Sequence, residues 1–321
     1  MIVAKVPLRI PLAGGLTDLK HYTQDFGGVT LSTTINRHVY IIIKESYYGY
    51  TDLHYQDKHE RVDTIDQIRN DLIRESLRLT GLENTPLQLN VLTDFPGESG
   101  LGGSGAITVG LLHAMLTFQG NTVTPEQLFT QAAQIEVEIL DGASGYHDPT
   151  ICAIGGFKLI EYHGNEILSR DVTMSERTKN EFVNKLLLFY SGRHQPSKPS
   201  LNILSRQLPD AYEVLHEMKQ LAYNLEQAFG VGDLAKIGET IGQQQKLKQQ
   251  LPGHFRDEFV LNVTERVQQA GGYAQIPGGK ISAFVIVCCP KGNVDEIRAA
   301  LPDLKEVRFE LATEGSQVRQ F

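Results

Sequence analysis

Over the first ten residues, Ile2, Ala4, Val6, Leu8 and Ile10 fall on one face of an extended chain. That period of two predicts an opening strand. RHVYIIIKESYY (37–48) is β-branched and aromatic and predicts a second, while LQLNVLT (87–93) alternates cleanly and predicts a third. Between them Ile65, Ile68, Leu72 and Leu79 recur at helical intervals ahead of Gly81, which predicts a helix over 65–80 with a glycine stop. Residues 104–119 are mostly apolar or small, the composition of a buried helix. Thr124-Pro125-Glu126 reads as a cap and a first-turn proline, so a further helix starts there and runs to about Leu140.

Later in the chain the spacing changes. KLLLFY (185–190) predicts a strand, and stretches near 210–229, 232–248 and 255–270 predict helices. ISAFVIVC (281–288) predicts a strand, 292–301 a helix, and EVRFEL (306–311) a last strand. Strands concentrate in the first half and helices gather in blocks, which is an α+β pattern in two lobes. A chain of 321 residues accommodates two domains of ordinary size. The change in character places their boundary near residue 180, giving domains 1–180 and 181–321.

Composition narrows the function classes. Hydrophobic residues make up 41% and charged residues 21%, a globular balance, and the net charge of −8 argues against a nucleic-acid-binding surface. A local basic site for a small anion stays compatible with that charge. No apolar run approaches the ~20 residues that cross a bilayer, so no membrane partner is expected. MIVAKVPLRIPLAGG lacks the charged and apolar blocks of a signal peptide. The three cysteines, Cys152, Cys288 and Cys289, show no framework, zinc or Cys-x-x-Cys spacing. The expectation is a soluble cytoplasmic protein.

The chemistry concentrates in FPGESGLGGSGA (95–106), with five glycines and two serines directly ahead of an apolar helix. Glycines let backbone amides approach an anion without side-chain clash, and the first N–H groups of a helix have no internal partner. A serine beside phosphates offers its hydroxyl to a divalent ion. Neither a P-loop pattern nor a GxGxxG fingerprint is present. A plain flexible connection has the same composition, and Glu98 within the loop opposes a second negative charge. The loop alone leaves both readings open.

PGESGLGGSGA resembles the second motif of the GHMP kinases. Two further stretches agree with that superfamily in the right order. PLRIPLAGGLTDL (7–19) resembles its sugar-contacting motif, most closely that of the D-glycero-D-manno-heptose 7-phosphate kinases, and GASGYHDPTICAIGG (142–156) resembles its catalytic-aspartate segment. The ending FELATEGSQVRQF is similar to the tail of heptose kinases, so the resemblance spans essentially the whole chain. It implies a two-lobed fold, with an N-terminal lobe like ribosomal protein S5 domain 2 and a ferredoxin-like C-terminal lobe carrying extra helices. It also implies ATP-dependent phosphorylation of a sugar hydroxyl, foremost the anomeric hydroxyl of a heptose 7-phosphate, with Mg²⁺ as cofactor.

Carried over residue by residue, the resemblance makes Asp148 and Arg9 catalytic. Gly14, Gly15, Thr17, Asp18 and His147 would contact the sugar, and Arg193 a phosphate already on it. Pro96, Gly97, Ser99, Gly100, Leu101, Gly102, Gly103 and Ser104 would wrap the ATP phosphates. Ser104 and Glu136 would hold the metal, hard oxygen donors of the kind Mg²⁺ takes. Arg9 with Asp18 as an ordinary ion pair, Asp148-Pro149 as a turn, and 191–200 as a solvated basic loop are the plainer readings.

The departures are specific. Gly103 stands where the family has a serine. Gly15 and Leu16 replace the Glu and His of galactokinases, which argues against galactose. In AGGYAQIPGGKISAFVIV (270–287) only Gly278 and Gly279 persist from the third glycine motif, with Pro277 before and Lys280 behind. Two other functions therefore stay open: a GHMP kinase for fucose, another sugar or mevalonate, and a non-catalytic sugar- or nucleotide-binding homologue. The oligomeric state is also open, a homodimer included.

Overall fold

The computed structural model describes residues 1–321 apart from 98, 142–143, 165, 194–195, 197 and 279–282. A nine-stranded sheet carries most of the first half. Its strands are β1 (Ile2–Ala13), β2 (Gly28–Glu45), β3 (Thr51–Tyr55), β4 (Lys58–Val62), β5 (Leu87–Thr93), β6 (Phe157–His163) and β7 (Glu166–Asp171). A second sheet of four strands contains β8 (Leu186–Tyr190), β9 (Tyr273–Gln275), β10 (Phe284–Cys288) and β11 (Lys305–Glu306), in the order β11-β8-β10-β9. Two last strands, β12 (Leu311–Ala312) and β13 (Gln317–Gln320), return to the first sheet, on β2 and β1.

The helices are α1 (Lys20–Phe26), α2 (Asp71–Leu79), α3 (Gly103–Phe118), α4 (Pro125–Ala133), α5 (His147–Ile154) and α6 (Glu176–Asn184). They continue with α7 (Lys198–Arg206), α8 (Leu208–Val231), α9 (Leu234–Lys248), α10 (Glu258–Gln269) and α11 (Val294–Ala300). The mixed α and β architecture is the one expected. α3 buries the most residues of any of these helices, ten of its sixteen. That is why its sequence shows no polar face: it packs against β1, β2, α4 and α5.

The local differences have physical reasons. β2 starts nine residues before the apolar run that predicted it, because its first half is polar and yet buried. There Thr30 shares a hydrogen bond with the Tyr162 hydroxyl, and the Thr34 hydroxyl donates to the Ala312 carbonyl. The expected helix over 65–80 is broken: a single 3₁₀ turn, Ile65–Gln67, precedes α2, and Asn70 accepts from the Ile73 N–H as its cap. The helix from Pro125 continues as a π-helical turn, Gln134–Ile139. EVRFEL is not one strand; its first residue belongs to the second sheet and its last to the first sheet. Ile281 and Ser282, the start of another predicted strand, lie outside the described residues.

β1 explains how the first motif reaches the site. β13 covers only Ile2–Lys5, and beyond that point no described strand pairs with this edge of β1. Pro7 and Pro11 sit on that stretch, where a missing N–H breaks no ladder bond. Between them the Arg9 N–H donates to the Leu101 carbonyl at 3.0 Å, so the edge receives the glycine loop.

Candidate active site

A cavity of about 300 Å³ opens where β1, the glycine loop, α3, α5 and α9 converge. Arg9 lies in its wall, 4% exposed, and donates from Nε (2.9 Å) and Nη2 (2.6 Å) to Oδ1 of Asp148. Its Nη1 donates to the Gly100 carbonyl at 2.6 Å, so one guanidinium ties the glycine loop to the aspartate. Burial opposes the charge on Asp148, but Arg9 and His147 outweigh it and hold the carboxyl well below the usual carboxylate range.

His147 sits at the first position of α5. Its Nδ1 is 3.2 Å from Asp148 Oδ1 and its Nε2 is 2.8 Å from the Ser32 hydroxyl. With the Ser32 hydroxyl donating to Nε2, Nδ1 carries the proton and faces the carboxylate. The His147 N–H donates to Asp18 Oδ2 at 3.0 Å. Asp18 is buried beside the same cavity, and burial pushes its carboxyl upward. Gly105, one turn into α3, is required by the close packing here: a Cβ would fall 2.7 Å from the Asp148 backbone carbon.

The starts of α3 and α5, which face the cavity, lack a side-chain cap, as do those of α1 and α8. α4, α6, α9 and α10 each begin with a side-chain cap, from Thr124, Ser175, Asp233 and Asp257. α3 begins at Gly102 and α5 at Tyr146, neither with a side-chain cap. The open N–H groups of α3 and its dipole face the cavity, beside Gly100, Gly103 and Ser104.

Glu136 projects from the π-helical turn and is 4% exposed. Burial pushes its carboxyl up to about 7, against hydrogen bonds from Ser104 and Thr108 that favour the anion. Its Oε1 is buried with no hydrogen-bond partner among the described residues. An orphaned carboxylate oxygen beside a serine hydroxyl, at the mouth of the phosphate-type loop, is a donor set that suits Mg²⁺. Glu138, two positions on, faces elsewhere and pairs with Lys20.

The opposite wall comes from α9, β9 and the residues that follow β9. Gln244 accepts from the Gly14 N–H at 3.1 Å, and Gln245 accepts from the Ile276 N–H at 2.9 Å. Lys248 lines the cavity and is itself buried, donating from Nζ to the Ile276 carbonyl at 2.8 Å and to the Gly278 carbonyl. Burial, with Arg9 nearby, pushes this ammonium down to about 7. Sequence reading missed these side chains; α9 carries no recognised motif, and Gln244, Gln245 and Lys248 stand in a plain run of glutamines and lysines.

Of the residues proposed from sequence, Arg9, Gly15, Asp18, Ser99, Gly100, Gly102, Gly103, Ser104, Glu136, His147 and Asp148 all line the cavity. The others act one layer back. The Thr17 hydroxyl sits 2.8 Å from the Gly14 carbonyl and 2.9 Å from that of Val29, closing the turn that presents Asp18. Pro96, Gly97 and Leu101 shape the loop without reaching the cavity. The Arg193 guanidinium lies over the Phe259 ring at 4.4 Å and is not part of the cavity lining, where Lys198 stands instead. Stacking on an aromatic face holds a guanidinium whose loop supplies no carboxylate. Glu98, Gly279 and Lys280 lie outside the described residues.

All three cysteines are buried and free, and among the described residues no helix is long and apolar enough to cross a membrane.

Residues 67–156 match the family model of the GHMP kinases N terminal domain. The chain is 23% identical over 264 residues to the D-glycero-alpha-D-manno-heptose 7-phosphate kinase of Campylobacter jejuni, covering 77% of each chain. It is 25% identical to the mevalonate kinase of Methanothermobacter thermautotrophicus, over 72% of this chain and 74% of that one. A D-glycero-D-manno-heptose 1-phosphate kinase from Bacteroides thetaiotaomicron superposes with a TM-score of 0.81 at 22% identity, covering 100% of this chain and 99% of that one. The likeness to the GHMP kinases read from the motifs is borne out, and the fold is theirs.

Proposed function

We propose that this protein is an ATP-dependent kinase that moves the γ-phosphoryl group to a sugar hydroxyl, foremost the anomeric hydroxyl of a heptose 7-phosphate. As a phosphotransferase it stands with the GHMP kinases, which use ATP. The observation that carries the reading is the convergence of Asp148, Arg9 and Asp18 with the uncapped start of α3 in one cavity.

The division of labour follows from the contacts. Loop amides and the α3 N-terminus bind the ATP phosphates, with Gly100 and Gly103 keeping the approach free of side chains. Ser104 and Glu136 would hold Mg²⁺, which supplies charge neutralisation to the polyphosphate. Asp18 accepts hydrogen bonds from sugar hydroxyls and fixes the ring. Asp148, kept ionised by Arg9 and the His147 ring, accepts the hydrogen bond of the attacking hydroxyl and aims it at the phosphorus. An aspartate this acidic is a weak base. Its contribution is orientation, which is most of what phosphoryl transfer asks of a protein. Arg9 sits between the loop and Asp148, where charge develops on the transferred group.

The acceptor is the finer part of the proposal. The heptose phosphate named for relatives of similar length, and Gly15 and Leu16 in the sugar motif, support it. Mevalonate is the second acceptor to weigh, since it is named for another relative at comparable identity. Measuring ADP release with Mg-ATP against heptose 7-phosphate, heptose, fucose and mevalonate tests the reading. Turnover confined to mevalonate would move the acceptor, and ATP binding without turnover on any acceptor would favour a binding homologue.

A further inference from the structure

Lys248 is the one cavity residue in this chain that combines full burial with a positive charge and no carboxylate partner among the described residues. Arg9, the other buried cation there, is matched by Asp148. A buried ammonium held only by two carbonyl oxygens is unstable in charge unless an anion joins it. The two carbonyls, of Ile276 and Gly278, account for two of its three N–H donors.

Its placement is specific. Gly278 packs so closely on the glycine loop that a Cβ there would lie 3.0 Å from the Gly100 Cα. Gly100 in turn accepts from Arg9. The side chain of Lys248 therefore reaches from α9 onto the segment that has lost the usual glycines, and lines the same cavity as the Arg9–Asp148 pair. The mutual repulsion of Lys248 and Arg9 contributes to holding the ammonium low in the empty site. A phosphoryl group between them removes that repulsion.

We infer that Lys248 is a further catalytic residue of this kinase, contacting the transferred γ-phosphoryl group of ATP from the C-terminal wall opposite Arg9. The inference rests on the kinase reading above. It assigns to one lysine the positive charge that a chain with a reduced third glycine motif must supply by other means. The inner phosphates stay with the loop and α3, so ADP needs Lys248 far less than ATP does.

The test compares Lys248→Met, close in shape but uncharged, with Lys248→Gln, which keeps two N–H donors for the Ile276 and Gly278 carbonyls. Binding of ADP and of a non-hydrolysable ATP analogue is measured with Mg²⁺, beside steady-state turnover and thermal unfolding. The expected result is at least ~10-fold greater loss of affinity for the ATP analogue than for ADP, and a fall in kcat of about 10²-fold, the scale of one lost electrostatic contact. Lys248→Gln should show both while unfolding near the wild-type temperature. Equal losses for the two nucleotides in both variants, accompanied by lowered unfolding temperatures, would overturn the inference and make Lys248 a structural clamp. So would unchanged kcat in either variant. Absence of wild-type turnover on every acceptor would instead defeat the kinase reading, and with it this inference.

Discussion

The two walls of the cavity are built in opposite ways. On the N-terminal side, Arg9, Asp18, His147 and Asp148 are locked to one another and to the glycine loop by charge-assisted and backbone hydrogen bonds. Every charge there has a partner before a ligand arrives. On the C-terminal side, Gln244, Gln245 and Lys248 reach in from one helix and hold the backbone of other segments. One of them is a cation without a counter-ion among the described residues. On the proposed function the first wall is preorganised for the acceptor and the chemistry, and the second would be completed by the phosphates it closes over.

The largest expected effect lies on the first wall. Asp148→Asn should reduce kcat by at least ~10²-fold while leaving nucleotide affinity almost unchanged, as removal of one positioned group does. A loss of affinity equal to the loss of kcat would place Asp148 in binding instead. Arg9→Met comes next. It leaves Asp148 beside a neutral side chain, so kcat should fall ~10²-fold and thermal stability should drop with it, because a partly buried pair has lost its buried member. Kinetics and unfolding on the same preparation separate the two losses.

Glu136→Gln probes the boundary between the walls. It should raise the Mg²⁺ concentration needed for half-maximal rate by at least ~10-fold. It also carries a pH signature. The Glu136 carboxyl lies above its unfolded value of 4.5, at about 7, so the folded state binds the proton more tightly. The stabilisation is full below about 4.5 and is lost as pH rises through about 7. In metal-free buffer the wild type should therefore lose up to about 3 kcal/mol between those limits, from 1.36 kcal/mol per pKa unit, and the variant should not. Parallel unfolding curves at pH 5 and 8 decide it.

Gly105→Ala tests how tightly the first wall is packed. Its Cβ meets backbone at 2.7 Å, which no rotamer change relieves, so a loss of about 1–3 kcal/mol is expected, with lower kcat as Asp148 shifts. The smallest effect belongs to Arg193→Ala. With the guanidinium stacked on Phe259 outside the cavity, kcat/KM should stay within about twofold. A large rise in KM for a sugar phosphate alone would put Arg193 back at the acceptor.

The same contrast explains what the sequence disclosed. Glycine loops and an aspartate ahead of Gly-Gly are local patterns, because close backbone approach and a helix start are local demands. That is why Gly100, Ser104, Asp148 and Arg9 were legible from the chain. Glu136 was found only by its spacing from Asp148, and the π-helical turn that aims it left no mark in the sequence. Lys248 and Gln244 were invisible, since they sit on an ordinary amphipathic helix and gain their meaning from Gly14, Ile276 and Gly278, which are distant in sequence. The fold followed the same rule. Alternating β1 and β5 were plain, whereas the polar, buried first half of β2 and the divided EVRFEL segment depend on partners from other parts of the chain.

The most direct test of the central claim is ADP release with Mg-ATP and heptose 7-phosphate, run side by side for the wild type and Asp148→Asn. The account predicts acceptor-dependent turnover by the wild type, reduced at least ~10²-fold in the variant at unchanged ATP affinity. Nucleotide binding of equal strength in both, with no acceptor-dependent release of ADP by the wild type on this or any other alcohol, would contradict it.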